Sequence, residues 1–392
     1  MDFFDFKFAA NNQLYFGAGK FKLLPKLMNS FGKNLLLIAG GESFKKTSQY
    51  QWLLNALKNR STRLYCSFIE SEPSPGRVDE IVRLYQEKNI HVVISIGGGS
   101  VLDTGKAVSA MLTQKATVSA YLEGVGTQTY NGKKIPFIAV PTTAGTGSEA
   151  TQNAVLGQVS EKGFKKSLRH EKLVPDIAVV DPELTLSCPN EITAACGMDA
   201  LTQLIESYVS TNASPMTDSL ALGGLRIMGD SILTSAITDP ADMDARTRMC
   251  YGSYISGLTL ANAGLGVVHG FAAVIGGYFP IPHGIICGTL LAQVTRKNIE
   301  TLIRLDPEGV SLLKYANVGK LLGKIKKNNP IETAGALSEL LMEWTEILKI
   351  PRLGQFGITR DDINKIISGT GQKNNPVRLI KEDLKDILES RI

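Results

Sequence analysis

Four side chains in the second half of the sequence are spaced for chemistry. Asp199 and Gln203 stand four residues apart in GMDALTQLIESY, so a helix there puts a carboxylate and an amide oxygen on one face. His269 and His283 lie 14 residues apart among glycine and apolar residues, in a chain with only four histidines. One carboxylate, one amide oxygen and two imidazoles make a donor set for a divalent cation such as Fe²⁺ or Zn²⁺. The same two histidines could equally be hydrogen-bonded core residues, because short motifs recur by chance. His91 and His170 lie outside such surroundings and read as structural or surface residues.

Two segments in the first half are built to approach a phosphate. GGGSVLDTGK (residues 97–106) follows the apolar run HVVISI, and residues 101–110 have helical spacing. A glycine turn between strand and helix exposes backbone amides at the positive end of the helix dipole. Gly98, Gly99 and Ser100 form that turn, and Asp103 and Lys106 follow at fixed offsets. PTTAGTGSE (residues 141–149) follows IPFIAV and offers the hydroxyls of Thr142, Thr143 and Thr146 beside free amides. Either segment alone could be a structural loop. Two of them at carboxyl ends of parallel strands mark where ligands bind in open α/β sheets. No GxGxxG follows any expected strand, so the ordinary dinucleotide fingerprint is absent.

The elements that must position these residues differ between the halves. Short apolar runs at residues 34–39, 65–69, 91–96, 135–140 and 177–180 read as strands, and residues 78–88 have helical spacing. Strands alternating with helices imply a mainly parallel sheet covered on both faces. From Pro189 onward the patterns are helical. Asn190 is the expected cap of a helix over residues 191–209, and further helices are expected at 214–233, 245–262, 284–303, 331–348 and 380–390. KIKKNN (residues 324–329) reads as a solvated helix end. The boundary falls near residue 187, giving an α/β unit at 1–186 and an all-helical unit at 187–392.

Composition sets the outer limits. The chain has 392 residues, 43% hydrophobic and 20% charged, a length that favours two domains. Lys plus Arg is 42 against 37 Asp plus Glu, and the resulting +5 forms no concentrated basic stripe of the kind nucleic acid needs. No apolar run approaches the roughly 18 residues of a membrane span. The opening MDFFDF carries acids early and does not read as a signal peptide. Cys66, Cys188, Cys196, Cys250 and Cys287 are odd in number and form no CxxC pair, which suits a reducing cytoplasm.

Taken in order, these segments resemble the iron-containing (group III) alcohol dehydrogenases. The resemblance runs from FGAGKF (residues 16–21) and EPSPG (72–76) through GGGSVLDTGK, PTTAGTGSE, PDIAVVDPELT (175–185) and GMDALTQLIESY (197–208). It continues through the HG at His269 and the PHG around His283 to NNPV (374–377). It implies a Rossmann-like sheet domain before an all-helical metal-binding domain, with the site between them, in a homodimer. It implies that Gly98, Gly99, Ser100 and Asp103 contact the pyrophosphate and ribose of NAD(P). Thr142, Thr143 and Thr146 would then line its phosphate and nicotinamide end, with Lys165 near the ribose and Leu184 near the adenine. Asp199, Gln203, His269 and His283 occupy the metal-ligand positions, and Asp199, His269 and His283 would act in catalysis through the metal.

Two departures stand out. Where the family has a histidine ligand this chain has Gln203, a weaker and harder donor. Where the family has a histidine four residues after the first histidine ligand, this chain has Ala273, so the usual proton-relay side chain is missing. Both changes remove bulk from the cleft and favour a larger, polar substrate. One branch of the family oxidises the terminal hydroxyl of the sugar acid 3-deoxy-octulosonate. At the end of the first long strand, where many members carry Asp, this chain has Gly40 followed by Ser43, Lys45 and Lys46. That run favours NADP(H), although Glu42 opposes it. Two other readings stay open: a non-redox NAD- and metal-dependent synthase of the dehydroquinate-synthase type, and a degenerate nucleotide-binding homologue.

Overall fold

The computed structural model describes residues 5–58, 62–325 and 328–392. Residues 1–4 of the opening segment and Lys326 and Lys327 of KIKKNN lie outside the described residues. The strands are β1 (Gln13–Phe16), β2 (Asn34–Gly40), β3 (Arg63–Ile69), β4 (Val92–Gly97), β5 (Phe137–Pro141), β6 (Asn153–Gln158), β7 (Phe164–Arg169) and β8 (Ile177–Val180). The helices of this half are α1 (Leu24–Phe31), α2 (Glu42–Lys45), α3 (Ser48–Lys58), α4 (Pro75–Tyr85) and α5 (Gly99–Met111). The rest of the chain is helical: α6 (Asn190–Val209), α7 (Pro215–Met228), α8 (Ser231–Leu233), α9 (Met243–Ala263), α10 (Val267–Tyr278), α11 (His283–Leu305), α12 (Val310–Gly323), α13 (Pro330–Ile347), α14 (Ile363–Gly369) and α15 (Lys381–Glu389). A parallel-sheet domain thus precedes a helical domain.

Among the described residues, six strands form one sheet in the order β1-β8-β5-β4-β2-β3, and every pairing in it is parallel. The continuous apolar runs explain this. VVISIG and FIAVP are buried throughout, as strands covered by helices on both faces must be. The chain runs outward from β2 to β3 and then returns to place β4 on the other side of β2. The carboxyl ends at Gly40 and Gly97 therefore flank the switch point, where such sheets leave a crevice.

The hairpin β6–β7 lies outside this sheet and is antiparallel. Its strands were not expected, because FKKSLR has no apolar run and only Leu168 of it is buried. Helix α10 was not expected either. VVHGFAAVIGGY holds three glycines, which read as breakers, yet each serves close packing. A Cβ at Gly270 would lie 2.0 Å from the Gly371 carbonyl oxygen, and one at Gly277 would lie 2.9 Å from the backbone of Phe164. For α12 the sequence marks only a helix end at KIKKNN. Helix α6 begins as expected, but Pro189 takes the cap position without a side-chain bond and Asn190 is the first helical residue. Helix α12 ends at Gly323, and Lys324 leaves it in the left-handed conformation at φ 51°.

Helix α6 is buried along nearly its whole length and forms the axis of the helical core. The two halves meet through backbone contact. Gly147, at φ +59° in the loop after β5, lies against Gly257 of α9, where a Cβ would stand 2.1 Å from the Gly147 oxygen. Asn11 adds a polar tie. Its amide donates to the carbonyls of Glu149 and Pro175 at 2.8 Å each, and its oxygen accepts from the Tyr254 hydroxyl at 3.0 Å.

Replacing Gly257 by alanine forces the loop off α9. The expected loss is about 2–3 kcal/mol of unfolding free energy, the usual cost of overpacking a tight contact. Urea titration of the variant measures it, and an unchanged midpoint would show that the two halves tolerate separation there.

Candidate metal centre

Three helices bring the chemistry together. Asp199 lies on α6, His269 on α10, and His283 opens α11 behind Pro282. Asp199 Oδ1 is buried and has no hydrogen-bond partner among the described residues. It lies 3.5 Å from His269 Nε2 and 3.8 Å from His283 Nε2. Cys287, one turn beyond His283 on α11, places its Sγ 3.7 Å from each of those nitrogens. The ligand atoms of all four residues fall within 4.8 Å of one another.

Gln203 shares the Asp199 face as expected and is 1% exposed. Its Oε1, however, accepts the Ser256 hydroxyl from α9 at 2.7 Å. The side chain that faces both histidine nitrogens is Cys287, on the helix that His283 opens. Sequence reasoning passed over it as an ordinary buried thiol, although its spacing of four from His283 in PHGIIC was legible.

Glu206 was also missed. It is three residues beyond Gln203 on the same face of α6, and 5% exposed. One carboxylate oxygen accepts the Val268 amide at 2.7 Å, and the other lies 2.7 Å from His269 Nδ1. It therefore holds the start of α10 and turns His269 so that Nε2 faces Asp199, the usual arrangement behind a ligating histidine. Asn375 of the NNPV segment accepts the Val267 amide at 3.3 Å and completes that helix start.

The electrostatics suit a cation. Burial works against charge on Asp199, but the facing imidazoles of His283 and His269 outweigh it and hold the carboxyl down, at about 2. Burial lowers His283 to about 4, so it is neutral near pH 7, and His269 is the charged neighbour. Burial opposes that charge too, yet Cys287, Asp199 and Glu206 together raise His269 well above its usual value. Burial pushes the Cys287 thiol up to about 12. An unbonded carboxylate oxygen, two imidazole nitrogens and a sulfur fit a divalent cation that would replace the His269 proton. Ala273, one turn after His269, is exposed and offers no proton acceptor.

The two phosphate-type loops lie side by side. Gly98 caps α5, with Gly99 as its first residue. A Cβ on Gly99 would stand 2.5 Å from Thr146, and one on Gly98 would stand 3.3 Å from Thr143. The amide of Thr142 donates to Gly97 at 3.0 Å. Asp103 directs both oxygens into this scaffold, accepting the Ser148 hydroxyl and the Val155 amide at 3.0 Å. Lys106 is fully buried and donates to Ser148, Thr151 and Asn153, which binds α5 to the second loop. Lys165 pairs with Glu72 at 3.1 Å, and Ser100 donates to the other oxygen of Glu72 at 3.4 Å. Leu184 packs into the apolar core of the sheet and is 7% exposed. Gly40 ends β2, and Ser43 lies just beyond it and is exposed. His91 accepts the Lys33 amide and His170 the Lys172 amide, so both serve local structure.

Comparison with known proteins agrees with this layout. The profile described as Iron-containing alcohol dehydrogenase matches residues 11–182, and that described as Fe-containing alcohol dehydrogenase family, C-terminal, matches residues 193–392. Long-chain-alcohol dehydrogenase 1 of Geobacillus thermodenitrificans is 32% identical over 378 residues, covering 94% of this chain and 92% of its own. The NADPH-dependent butanol dehydrogenase of Clostridium saccharobutylicum is 30% identical over 393 residues, covering 98% and 97%. The structure of sulfoacetaldehyde reductase from Bifidobacterium kashiwanohense, solved with NAD⁺, superposes with a TM-score of 0.84 at 25% identity, covering 99% of this chain and 98% of that one.

Two outcomes follow from this geometry. Glu206→Gln removes the charge behind His269, and Zn²⁺ affinity should fall about 10- to 100-fold. Competition with a chromophoric chelator measures this, and unchanged affinity would sever Glu206 from the site. Glu149, buried beside Lys106, has its carboxyl raised by burial from 4.5 to about 7. It holds its proton more tightly in the folded chain than in the unfolded one. The stability it contributes is therefore full below pH 4.5 and is lost as pH rises to about 7. That loss, on the order of 3 kcal/mol, should vanish in Glu149→Gln, whose unfolding free energy stays flatter across the window.

Proposed function

The chain belongs to the iron-containing alcohol dehydrogenase family and is an alcohol dehydrogenase; from that premise we propose that it is metal-dependent, uses NADP(H) and acts on the terminal hydroxyl of a polar substrate such as a sugar acid. The observation that carries the metal part is the buried, unbonded Asp199 Oδ1 between His269 and His283. A divalent cation and the nicotinamide, when bound, supply Lewis acidity at the hydroxyl oxygen and a hydride acceptor.

The protein's own residues do the rest. Asp199, His269 and His283 hold the cation, with Glu206 orienting His269. Gly98, Gly99 and Ser100 at the start of α5 receive the pyrophosphate, and Thr142, Thr143 and Thr146 line the path toward the nicotinamide. Lys165, held by Glu72, reaches the ribose. Asp103 and Lys106 keep the two loops together, and Leu184 backs the adenine side.

Two features support a polar substrate. Gln203 accepts the Ser256 hydroxyl, and Ala273, exposed one turn after His269, carries only a methyl group. With no side chain at 273 to take it, the hydroxyl proton passes to water or to another hydroxyl of the substrate. Ser43, Lys45 and Lys46 beyond Gly40 supply donors for a 2′-phosphate, although Glu42 pairs with Lys46 at 3.2 Å. In this reading the two units are residues 1–186 and 187–392, and the active form is a homodimer. The cytoplasm suits the five free cysteines. Among the described residues no single helix is long and apolar enough to cross a membrane. A non-redox synthase of the dehydroquinate type is disfavoured, because alcohol dehydrogenase profiles match both halves.

The test is turnover by protein stripped of metal and reloaded with Fe²⁺ or Zn²⁺, followed by NADH and NADPH absorbance. The substrates are simple alcohols, simple aldehydes and sugar acids with their aldehyde forms. Turnover should require metal and favour the polar substrates. Lys46→Ala should lower kcat/KM for NADPH about tenfold, the worth of one charge-assisted hydrogen bond, and leave NADH within about twofold. A strong preference for short simple alcohols sinks the substrate reading, and a better efficiency with NADH sinks the NADP(H) reading.

A further inference from the structure

The metal cluster has its fourth donor on an unexpected helix. Gln203, at the position where the family carries a ligand on α6, accepts the Ser256 hydroxyl at 2.7 Å. Cys287 is fully buried, with its sulfur 3.7 Å from the Nε2 of each imidazole. Asp199 Oδ1, at 1% residue exposure and without a hydrogen bond, points into the same space.

Resting on the metal-dependent reading above, we propose that Cys287 is the fourth metal ligand of this protein, as a thiolate, in place of Gln203. The distances support it. Bonds of about 2.0–2.1 Å to nitrogen and oxygen and about 2.3 Å to sulfur give tetrahedral edges of about 3.3–3.6 Å. The observed edges are 3.5 and 3.8 Å from Asp199 to the imidazoles and 3.7 Å from Cys287 to each imidazole. These four edges need shifts of a few tenths of an ångström, and all four ligand atoms lie within 4.8 Å of one another. Gln203 Oε1 already accepts the Ser256 hydroxyl at 2.7 Å, which leaves it one lone pair.

The chemistry balances simply. As the metal–sulfur bond forms, the thiol S–H bond breaks and its proton passes to solvent. His283 and Cys287, spaced i and i+4, then bind from one face of α11, while Asp199 and His269 bind from α6 and α10. A thiolate also draws the site toward Zn²⁺.

The experiment is X-ray absorption at the zinc edge on the full-length protein loaded with one equivalent of Zn²⁺. The wild type should show one sulfur neighbour at about 2.3 Å. Cys287→Ser, nearly isosteric, and Cys287→Ala should lose that sulfur and bind Zn²⁺ about 100-fold more weakly. Gln203→Leu should keep the sulfur. Thermal unfolding of the metal-free variants verifies that they fold, and the wild-type spectrum decides the question without any variant. Zinc bound with only nitrogen and oxygen neighbours overturns the Cys287 assignment and leaves the metal-dependent reading standing. A sulfur that persists in Cys287→Ser assigns the ligand elsewhere and also overturns it. Failure to bind Zn²⁺ at all overturns both.

Discussion

A carboxylate inside a helical core is costly unless positive charge or hydrogen bonds meet it. Asp199 lies at the middle of α6, the most enclosed helix of the second half, with one oxygen that no described residue satisfies. The surrounding structure answers that charge. Helix α10 enters with His269, α11 starts at His283, and Glu206 fastens the first turn of α10 to the same helix that carries Asp199. The three helices are thereby set to a common point. A cation at that point would turn an energetic liability of the apoprotein into the bond that holds the centre together.

Close backbone approach brings this centre near the nucleotide side. Gly147 meets Gly257, Gly99 meets Thr146, and Gly277 meets the strand that carries Lys165. A side chain at any of these glycines would push apart segments that must stay within reach of one hydride transfer. Between the loops and the helices lies the pair Glu72–Lys165, joined on one side to Ser100. Burial opposes charge on Glu72, yet Lys165 and the nearby His283 keep its carboxyl below the usual value. The pair therefore links the start of α5 to β7.

The scaffold of the nucleotide loops depends on a buried cation of the protein's own. Lys106 has no contact with solvent, and burial pulls its ammonium down to about 8 against the attraction of Asp103 and Glu149. Its hydrogen bonds to Ser148, Thr151 and Asn153 fasten α5 to the second loop. Asp103 reinforces this from the same helix. Of the residues that a motif reading assigns to the ligand, Asp103 and Lys106 are spent on holding α5 to the second loop.

Much of this was legible along the chain. Continuous apolar runs announced β2, β4, β5 and β8 because strands buried on both faces need them, and helical spacing announced α6, α9, α11 and α13. Glycine and threonine types marked the loops, and scarce histidines marked the metal centre. Other elements were not legible, for physical reasons. β7 is polar and gains its place from pairing with β6, and α10 is glycine-rich because Gly371 and Phe164 press against it. The same division runs through the site. Sequence by itself determined the donor types, their order and the family. Only the tertiary structure decided that Ser256 donates to the Gln203 oxygen while Cys287 faces both imidazoles. Which donors converge depends on the relative rotation of three packed helices, and no spacing within one helix encodes that rotation.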